Sequence, residues 1–136
     1  MKSILLAFAS LFIFNISNAQ KDYKVVFDLT SKDSLDQRAV MRWVNEIMHA
    51  EPNAQVEVVM YGQGLNMVVK GRSYVEDAVA KLAANNNVAF RVCAVAMKNQ
   101  NVDQSQLMEG IGTVPDGIYE IITKEKEGWG YIKAVR

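Results

Sequence analysis

The sequence predicts an α/β protein: a flavodoxin-like, three-layer sandwich with a mostly parallel sheet of about five strands. Two observations carry this prediction. Short runs rich in β-branched and aromatic residues alternate along the chain with longer amphipathic segments. The short runs are also nearly apolar throughout, as strands are when helices cover both faces of a parallel sheet. Regular alternation of this kind is typical of doubly wound α/β domains.

The first 19 residues predict a secretory signal peptide. Lys2 gives a positive start, Ile4 to Phe14 is an apolar run, and Ser17-Asn-Ala19 supplies small residues for cleavage before Gln20. The apolar run is too short to span a bilayer, which takes about 20 residues. We therefore expect an exported protein, periplasmic or secreted, with one domain at residues 20–136 and no membrane contact after cleavage.

The first half of the domain should contain two strands and one helix. The strands are predicted at Tyr23–Leu29 and Gln55–Tyr61, where β-branched and aromatic residues dominate. Between them, Ser34 and Gln37 have the spacing of a capping box, which predicts the start of a helix. The apolar face of that helix consists of Val40, Trp43, Val44 and Ile47. The pattern does not predict the state of residues 65–69.

The next part of the chain should contain a helix and the third strand. Ser73 and Glu76 have the spacing of a second capping box. The helix that follows would bury Val75, Val79 and Leu82. The third strand is predicted at Val88–Cys93, and the spacing of residues 94–98 allows one helical turn after it.

The last part should contain two short strands with a helix between them. The strands are predicted at Ile111–Val114 and Trp129–Ala134. Asp116 can cap a helix that runs to about Lys126 and ends before Gly128. Ile118, Ile121 and Ile122 are expected to be buried under this helix.

Charge and composition argue against several classes of function. Loss of Lys2 with the signal peptide leaves 14 basic against 15 acidic residues, a formal charge of about −1 without a basic stripe, so nucleic acid is not an expected partner. His49 is the sole histidine and Cys93 the sole cysteine, too few for a zinc site. Gly62-Gln-Gly64 lacks the third glycine of a dinucleotide-binding loop. We expect neither a cofactor nor a metal.

The candidate site lies where the carboxyl ends of the strands meet, because ligands of open α/β sheets bind there. Cys93 ends the third strand and is the only obvious nucleophile, so it is the candidate catalytic residue. The residues expected around it are Thr30, Ser31, Tyr61, Gly62, Gly64, Ala94, Lys98 and Pro115.

Two interpretations of Cys93 remain open. A free cysteine packs well as a buried small hydrophobe at a strand end. Alternatively, the free N–H groups of a following helical turn, together with Lys98, would lower the pKa of the thiol below its usual value of about 8.5. The position of Cys93 in the chain is compatible with both.

Four segments together resemble the DsrE/DsrF-like sulfur-relay family, and in particular its exported single-domain members. They are Val56–Gly64, Phe90–Cys93, Gly110–Ile118 and Gly128–Lys133, in an order and spacing that cover about Tyr23 to Ala134. The resemblance implies a flavodoxin-like fold and a homo-oligomer, often a trimer or hexamer. It also implies that Cys93 matches the family cysteine that carries sulfur as a persulfide.

This chain departs from the family pattern at two places beside the cysteine. Ala94-Val-Ala96 follows Cys93 where small polar residues are common, and Tyr61 stands where the family often has a histidine. Two functions are therefore carried forward. The first is a sulfur-handling protein that accepts sulfane sulfur from a donor protein and passes it to an acceptor, at most a sulfurtransferase-like carrier. The alternative is a non-catalytic oligomeric domain that binds a small molecule or protein, with a structural cysteine.

Overall fold

The computed structural model describes residues 22–135 and contains one five-stranded sheet, with the strands in the order β4-β3-β2-β1-β5 and every neighbouring pair parallel. The strands are β1 (Lys24–Leu29), β2 (Gln55–Met60), β3 (Val88–Cys93), β4 (Gly112–Val114) and β5 (Gly130–Lys133). The helices are α1 (Ser34–Ala50), α2 (Glu76–Ala83), α3 (Ala94–Asn99) and α4 (Gly117–Lys126). The flavodoxin-like sandwich predicted from the sequence is thus confirmed. The predicted signal peptide lies outside the described residues.

The two faces of the sheet are covered unequally. One face packs against α1, α2 and α3, and its core contains large side chains with no exposure, including Phe27, Phe90 and Met60. Within residues 22–135 the other face packs against a single helix, α4, through a small core of Val26, Val59 and Ile121. Because one short helix cannot cover five strands, polar side chains occupy much of this second face.

Two of the three isoleucines predicted to be buried under α4 are exposed. Ile121 is 6% exposed, whereas Ile118 is 56% and Ile122 is 43% exposed. The prediction was wrong for Ile118 and Ile122 because no other helix of the described part of the chain lies beside α4 on this face. Of the three isoleucines, only the one that points directly at the sheet is therefore covered. These two side chains lie one turn apart on the outer side of the helix.

The two predicted capping boxes are also wrong. Helix α1 is capped by Asp33, whose side chain accepts a hydrogen bond from the backbone N–H of Leu35 at 2.7 Å. Gln37 is fully buried and its side-chain oxygen accepts from the backbone N–H of Tyr74 at 3.2 Å. Helix α2 begins at Glu76 itself, and the Glu76 side chain accepts from the backbone N–H of Gly71 instead. Both long side chains stabilise loops rather than helix starts.

Of residues 65–69, whose state the sequence pattern left undetermined, the first four belong to a 3-10 helix over Gly62–Val68, and Val69 follows it. This 3-10 helix begins directly after Tyr61 and passes over the carboxyl end of β1. Gly64 makes this possible, since a Cβ at that position would collide with the backbone carbonyl of Leu29. The turn after β2 is therefore pressed against the end of β1, at the edge where a ligand site was expected.

Candidate functional site

A cleft of about 430 Å³ opens at the carboxyl edge of the sheet, between the turn after β2, helix α3 and the start of α4. Met60 pairs with Val92, so the next residues along these two strands, Tyr61 and Cys93, lie at the same level. The residues that line the cleft are Tyr61, Gly62, Gln63, Cys93, Val95, Ala96, Asn99, Gln100, Asp116 and Ile118.

Cys93 lies at the base of this cleft. It is the last residue of β3, directly precedes α3, and has 5% of its surface exposed. Helix α4 begins close above it: a Cβ at Gly117 would lie 3.2 Å from the Cys93 Cβ and 3.3 Å from Val59. A larger residue at position 117 would crowd these atoms, so the glycine lets the first turn of α4 pack closely against Cys93. Cys93 is largely covered by its neighbours, and the cleft leads to it.

The walls of the cleft are tied together by hydrogen bonds. The side-chain amide of Gln100 donates to the carbonyl of Gly62, which joins the end of α3 to the turn after β2. Asp116 caps α4, and its side chain accepts from the backbone N–H of Tyr119 at 2.9 Å. At the mouth lie two exposed apolar side chains, Val95, which is 50% exposed, and Ile118. The cleft thus has polar walls at its ends and an apolar rim.

The structure brings only some of the predicted site residues into the cleft. Tyr61 and Gly62 line it together with Cys93. Ala94, Lys98 and Pro115 are exposed but do not line it.

The other three predicted residues lie beside the end of β1. The hydroxyl of Thr30 is 3.4 Å from the ammonium group of Lys133, and the Ser31 hydroxyl accepts from the backbone N–H of Asp33 at 3.0 Å. Gly64 is buried against Leu29. Asn99 and Gln100 were not predicted, because nothing in the sequence shows that the end of α3 folds back against the turn after β2.

A second polar group of side chains lies beside the cleft, and we call Asp28, Tyr61, Tyr131 and Lys133 the Asp28 cluster. The Asp28 side chain lies on the face of the sheet that packs against α4, and Asp28 is 4% exposed. Its carboxylate accepts from the hydroxyls of Tyr131 at 2.7 Å and Tyr61 at 3.2 Å. Lys133 donates to both carboxylate oxygens at 3.0 Å. Burial of a carboxylate is costly without such hydrogen-bond and charge partners.

Burial and the hydrogen bond to Asp28 raise the pKa of Tyr131 to about 12. The folded protein then favours the neutral phenol of Tyr131. The raised pKa adds to the stability of the fold; this addition is complete below pH ~10, the usual tyrosine pKa, and disappears as the pH rises towards 12. We expect the difference in phenolate absorbance between the wild type and Tyr131→Phe to have its midpoint near 12. Asp28→Asn should lower that midpoint, and a wild-type midpoint near 10 would contradict the assignment.

A buried ion pair holds α4 on the sheet and so keeps Gly117 above the thiol. Glu57 on β2 is 3% exposed and its carboxylate lies 3.2 Å from the ammonium group of Lys124. Lys124 also lies 4.6 Å from the centre of the Trp129 ring. Burial raises the pKa of Glu57, and the charge of Lys124 opposes that rise. The pair therefore orients the helix that roofs the cleft.

Other features of residues 22–135 do not compete with the cleft as a chemical site. A groove of about 440 Å³ between α1 and β5 is lined mainly by apolar side chains such as Trp43 and Ile47, and it contains no nucleophile. Among these residues no three His, Cys, Asp or Glu side chains come together as a metal site would require. None of the described helices is both long and apolar enough to cross a bilayer.

Fold and cleft together define a flavodoxin-like α/β protein with one thiol at the carboxyl edge of its sheet. The profile of the DsrE/DsrF-like family matches residues 24–134, and the chain belongs to this family. The family is generally related to sulfur relay. A comparison with curated proteins finds no match.

Two solved structures are similar to this chain. One is a protein of unknown function, MTH1491 from Methanobacterium thermoautotrophicum, with 28% identity and a TM-score of 0.77 over 82% of this chain and 99% of that one. The other is the YchN protein from E. coli, with 13% identity and a TM-score of 0.68 over 82% of this chain and 98% of that one. The likeness to YchN shows the fold alone.

Proposed function

We propose that this protein carries sulfane sulfur as a persulfide on Cys93. The observation that supports the proposal most is the position of the thiol at the base of a cleft that opens at the carboxyl edge of the sheet. Membership of a family related to sulfur relay supports the same chemistry. The sequence has no second cysteine that could resolve the persulfide as an intrachain disulfide, so the sulfur has to leave to another molecule.

The proposed transfer needs no cofactor. The Cys93 thiolate attacks the outer sulfur of a donor persulfide, R–S–S–H, and a new S–S bond forms on Cys93. The S–S bond of the donor breaks, its electron pair leaves with R–S⁻, and the proton remains on the transferred sulfur. An acceptor thiolate then attacks that outer sulfur and releases Cys93 as thiolate. No oxidant is required, since one S–S bond replaces another.

Incubation of the mature protein with inorganic polysulfide tests the proposal. We expect the intact mass to rise by about 32 Da per sulfur added, and the gain to disappear on treatment with a thiol reductant. Cys93→Ser is the matched control, since it replaces only the sulfur atom, and it should gain nothing while its circular dichroism is unchanged. A wild-type protein whose mass does not change under these conditions would contradict the proposal.

One observation favours the alternative, a binding domain with a structural cysteine. Cys93 is 5% exposed and packs within the large hydrophobic core, next to the buried Ala96. In this function the same cleft would hold a small molecule or a protein segment without covalent chemistry. The polysulfide experiment separates the two, because a structural cysteine gains no sulfur in the folded protein.

We also propose that the protein is a homo-oligomer, exported by the signal peptide predicted at residues 1–19. The outer side of α4 supports assembly, since Tyr119 is 71% exposed and lies beside the exposed Ile118 and Ile122. Contiguous apolar side chains of this kind are typical of protein interfaces. We expect sedimentation to give three or six times the mass of one chain.

The double substitution Ile118→Glu and Ile122→Glu should shift that mass to one chain, because it places charges inside the contact. The control is Tyr74→Glu, a residue 62% exposed elsewhere on the surface, which should leave the assembly unchanged. A wild-type protein that sediments as a single chain would contradict the proposed assembly.

A further inference from the structure

Tyr61 belongs both to the cleft and to the Asp28 cluster at the carboxyl edge of the sheet. Its side chain lines the cleft beside Cys93, and its hydroxyl donates to Asp28. A Cβ placed on Gly117 would lie 3.2 Å from the Cys93 Cβ and 3.4 Å from the Tyr61 Cβ, so the two side chains leave the sheet next to each other. The orientation of the Tyr61 ring therefore determines how much room remains at the sulfur.

The ring is held at its far end and over one face. At the far end, the hydroxyl donates to a carboxylate that is itself buried and bonded to Lys133. Over the ring, the Lys133 ammonium group lies 5.7 Å from its centre. At 3.2 Å the Tyr61–Asp28 bond is longer than a strong charge-assisted hydrogen bond, so the ring is held by this bond and the Lys133 contact together. Burial and the charge of Asp28 raise the pKa of Tyr61, so its hydroxyl remains a donor at neutral pH.

We propose that Tyr61 is a positioning residue for the Cys93 thiol. The Asp28 cluster holds its ring as a fixed wall of the cleft, so that slim, unbranched sulfur donors reach the sulfur and bulky ones do not. The inference rests on the proposed function in that it names the class of donor: a hydropolysulfide or the end of an extended persulfide side chain. The width of the cleft limits the access of any thiol reagent to the Cys93 sulfur, whether or not the reagent is a sulfur donor.

Tyr61→Phe and Tyr131→Phe form a matched pair for the test. Each removes one hydroxyl that donates to the same carboxylate, but only Tyr61 lines the cleft. The measurement is the rate of Cys93 alkylation by a small reagent, iodoacetamide, and by a bulky one, fluorescein maleimide. The ratio of the two rates reports the width of the path to the sulfur. A general loosening of the fold would raise both rates together and leave the ratio unchanged.

We expect Tyr61→Phe to raise the relative rate of the bulky reagent by about three- to tenfold, because loss of a hydrogen bond of this length frees the ring by about that factor. Tyr131→Phe should change the ratio by less than about twofold, since its ring is not part of the cleft. Asp28→Asn is a second variant that keeps the side-chain size and removes the charge. It should change the ratio in the same direction as Tyr61→Phe. If Tyr61→Phe does not fold, the Asp28→Asn ratio tests the positioning role of Tyr61 in its place.

Equal changes of the ratio in both tyrosine variants, or no change in Tyr61→Phe and Asp28→Asn, would overturn the inference. Alkylation requires no sulfur donor, so the outcome does not depend on the polysulfide experiment. A protein that gains no sulfur but shows the expected change of ratio would disprove the proposed function and leave the positioning role of Tyr61 standing. The reverse pair of results would disprove the positioning role alone.

Discussion

Lys133→Met is expected to lower the free energy of unfolding by about 2–3 kcal/mol. The substitution keeps the apolar stem of the side chain and removes the ammonium group that bonds both oxygens of Asp28. Asp28 is 4% exposed, so its carboxylate would lose its cation without gaining water. Removal of one partner of a buried pair typically costs about 3–5 kcal/mol. The expected cost lies below that range because the Lys133 side chain is 38% exposed, so solvent screens its charge, and because the hydroxyls of Tyr61 and Tyr131 continue to donate.

Urea unfolding measures this change, and two further variants control it. The double variant Asp28→Asn with Lys133→Met removes the charge together with its partner, so it should recover more than half of the lost stability. Lys32→Met removes an exposed lysine from the loop after β1 and should change the stability by less than about 0.5 kcal/mol. If Lys133→Met were as stable as Lys32→Met, the Asp28 cluster would not be a structural element.

Gly64→Ala is expected to cost about 3 kcal/mol, at the upper end of the range for overpacked sites. The added methyl group would collide with the backbone carbonyl of Leu29, which cannot move aside as a flexible side chain can. The turn after β2 would have to shift away from the end of β1, and the cleft wall formed by Gly62 would shift with it. Urea unfolding and the rate of Cys93 alkylation should therefore both change.

Gly130→Ala is the matched control for this substitution. A Cβ at Gly130 would meet the carbonyl of Lys24 at 3.6 Å, an ordinary contact, so the variant should be close to the wild type in stability. Gly64→Ala and Gly130→Ala with the same stability would show that the turn after β2 is free to move and is not pressed on β1.

The fold could be predicted from the sequence because each strand is a short apolar run with polar ends. Val88–Cys93 was predicted with the bounds that the structure shows, since Asn87 precedes it and a helical segment follows. The helical turn expected at residues 94–98 is α3. The order of the strands could not be predicted, because it depends on pairing between segments far apart in the chain.

The errors at the helix starts have a common cause. Each predicted pair, Ser34 with Gln37 and Ser73 with Glu76, fits a local spacing rule. The side chains of Gln37 and Glu76 instead bond the loops at Tyr74 and Gly71. Long polar side chains are flexible enough to bond either a helix start or a distant loop. The spacing in the sequence cannot distinguish these two uses.

The candidate site was predictable in its centre and not in its surroundings. Cys93, Tyr61 and Gly62 were expected at the carboxyl edge and line the cleft. Of the Asp28 cluster only Tyr61 was among the predicted site residues. Asp28 was missed because Asp28 and Lys133 are 105 residues apart and meet only when β5 pairs with β1. Within an apolar strand, a single aspartate does not indicate which cation will accompany it.

The proposed function requires that the Cys93 thiol can be reached from solvent in the folded protein, and native-state alkylation measures whether it can. Iodoacetamide should label Cys93 completely, at a rate that does not change as urea is added below the unfolding transition. Such a rate shows that the reagent enters through the cleft. Labelling that occurs only as fast as the protein unfolds, and accelerates with urea, would show that the thiol is sealed in the folded protein. Cys93 could then not carry sulfur as proposed.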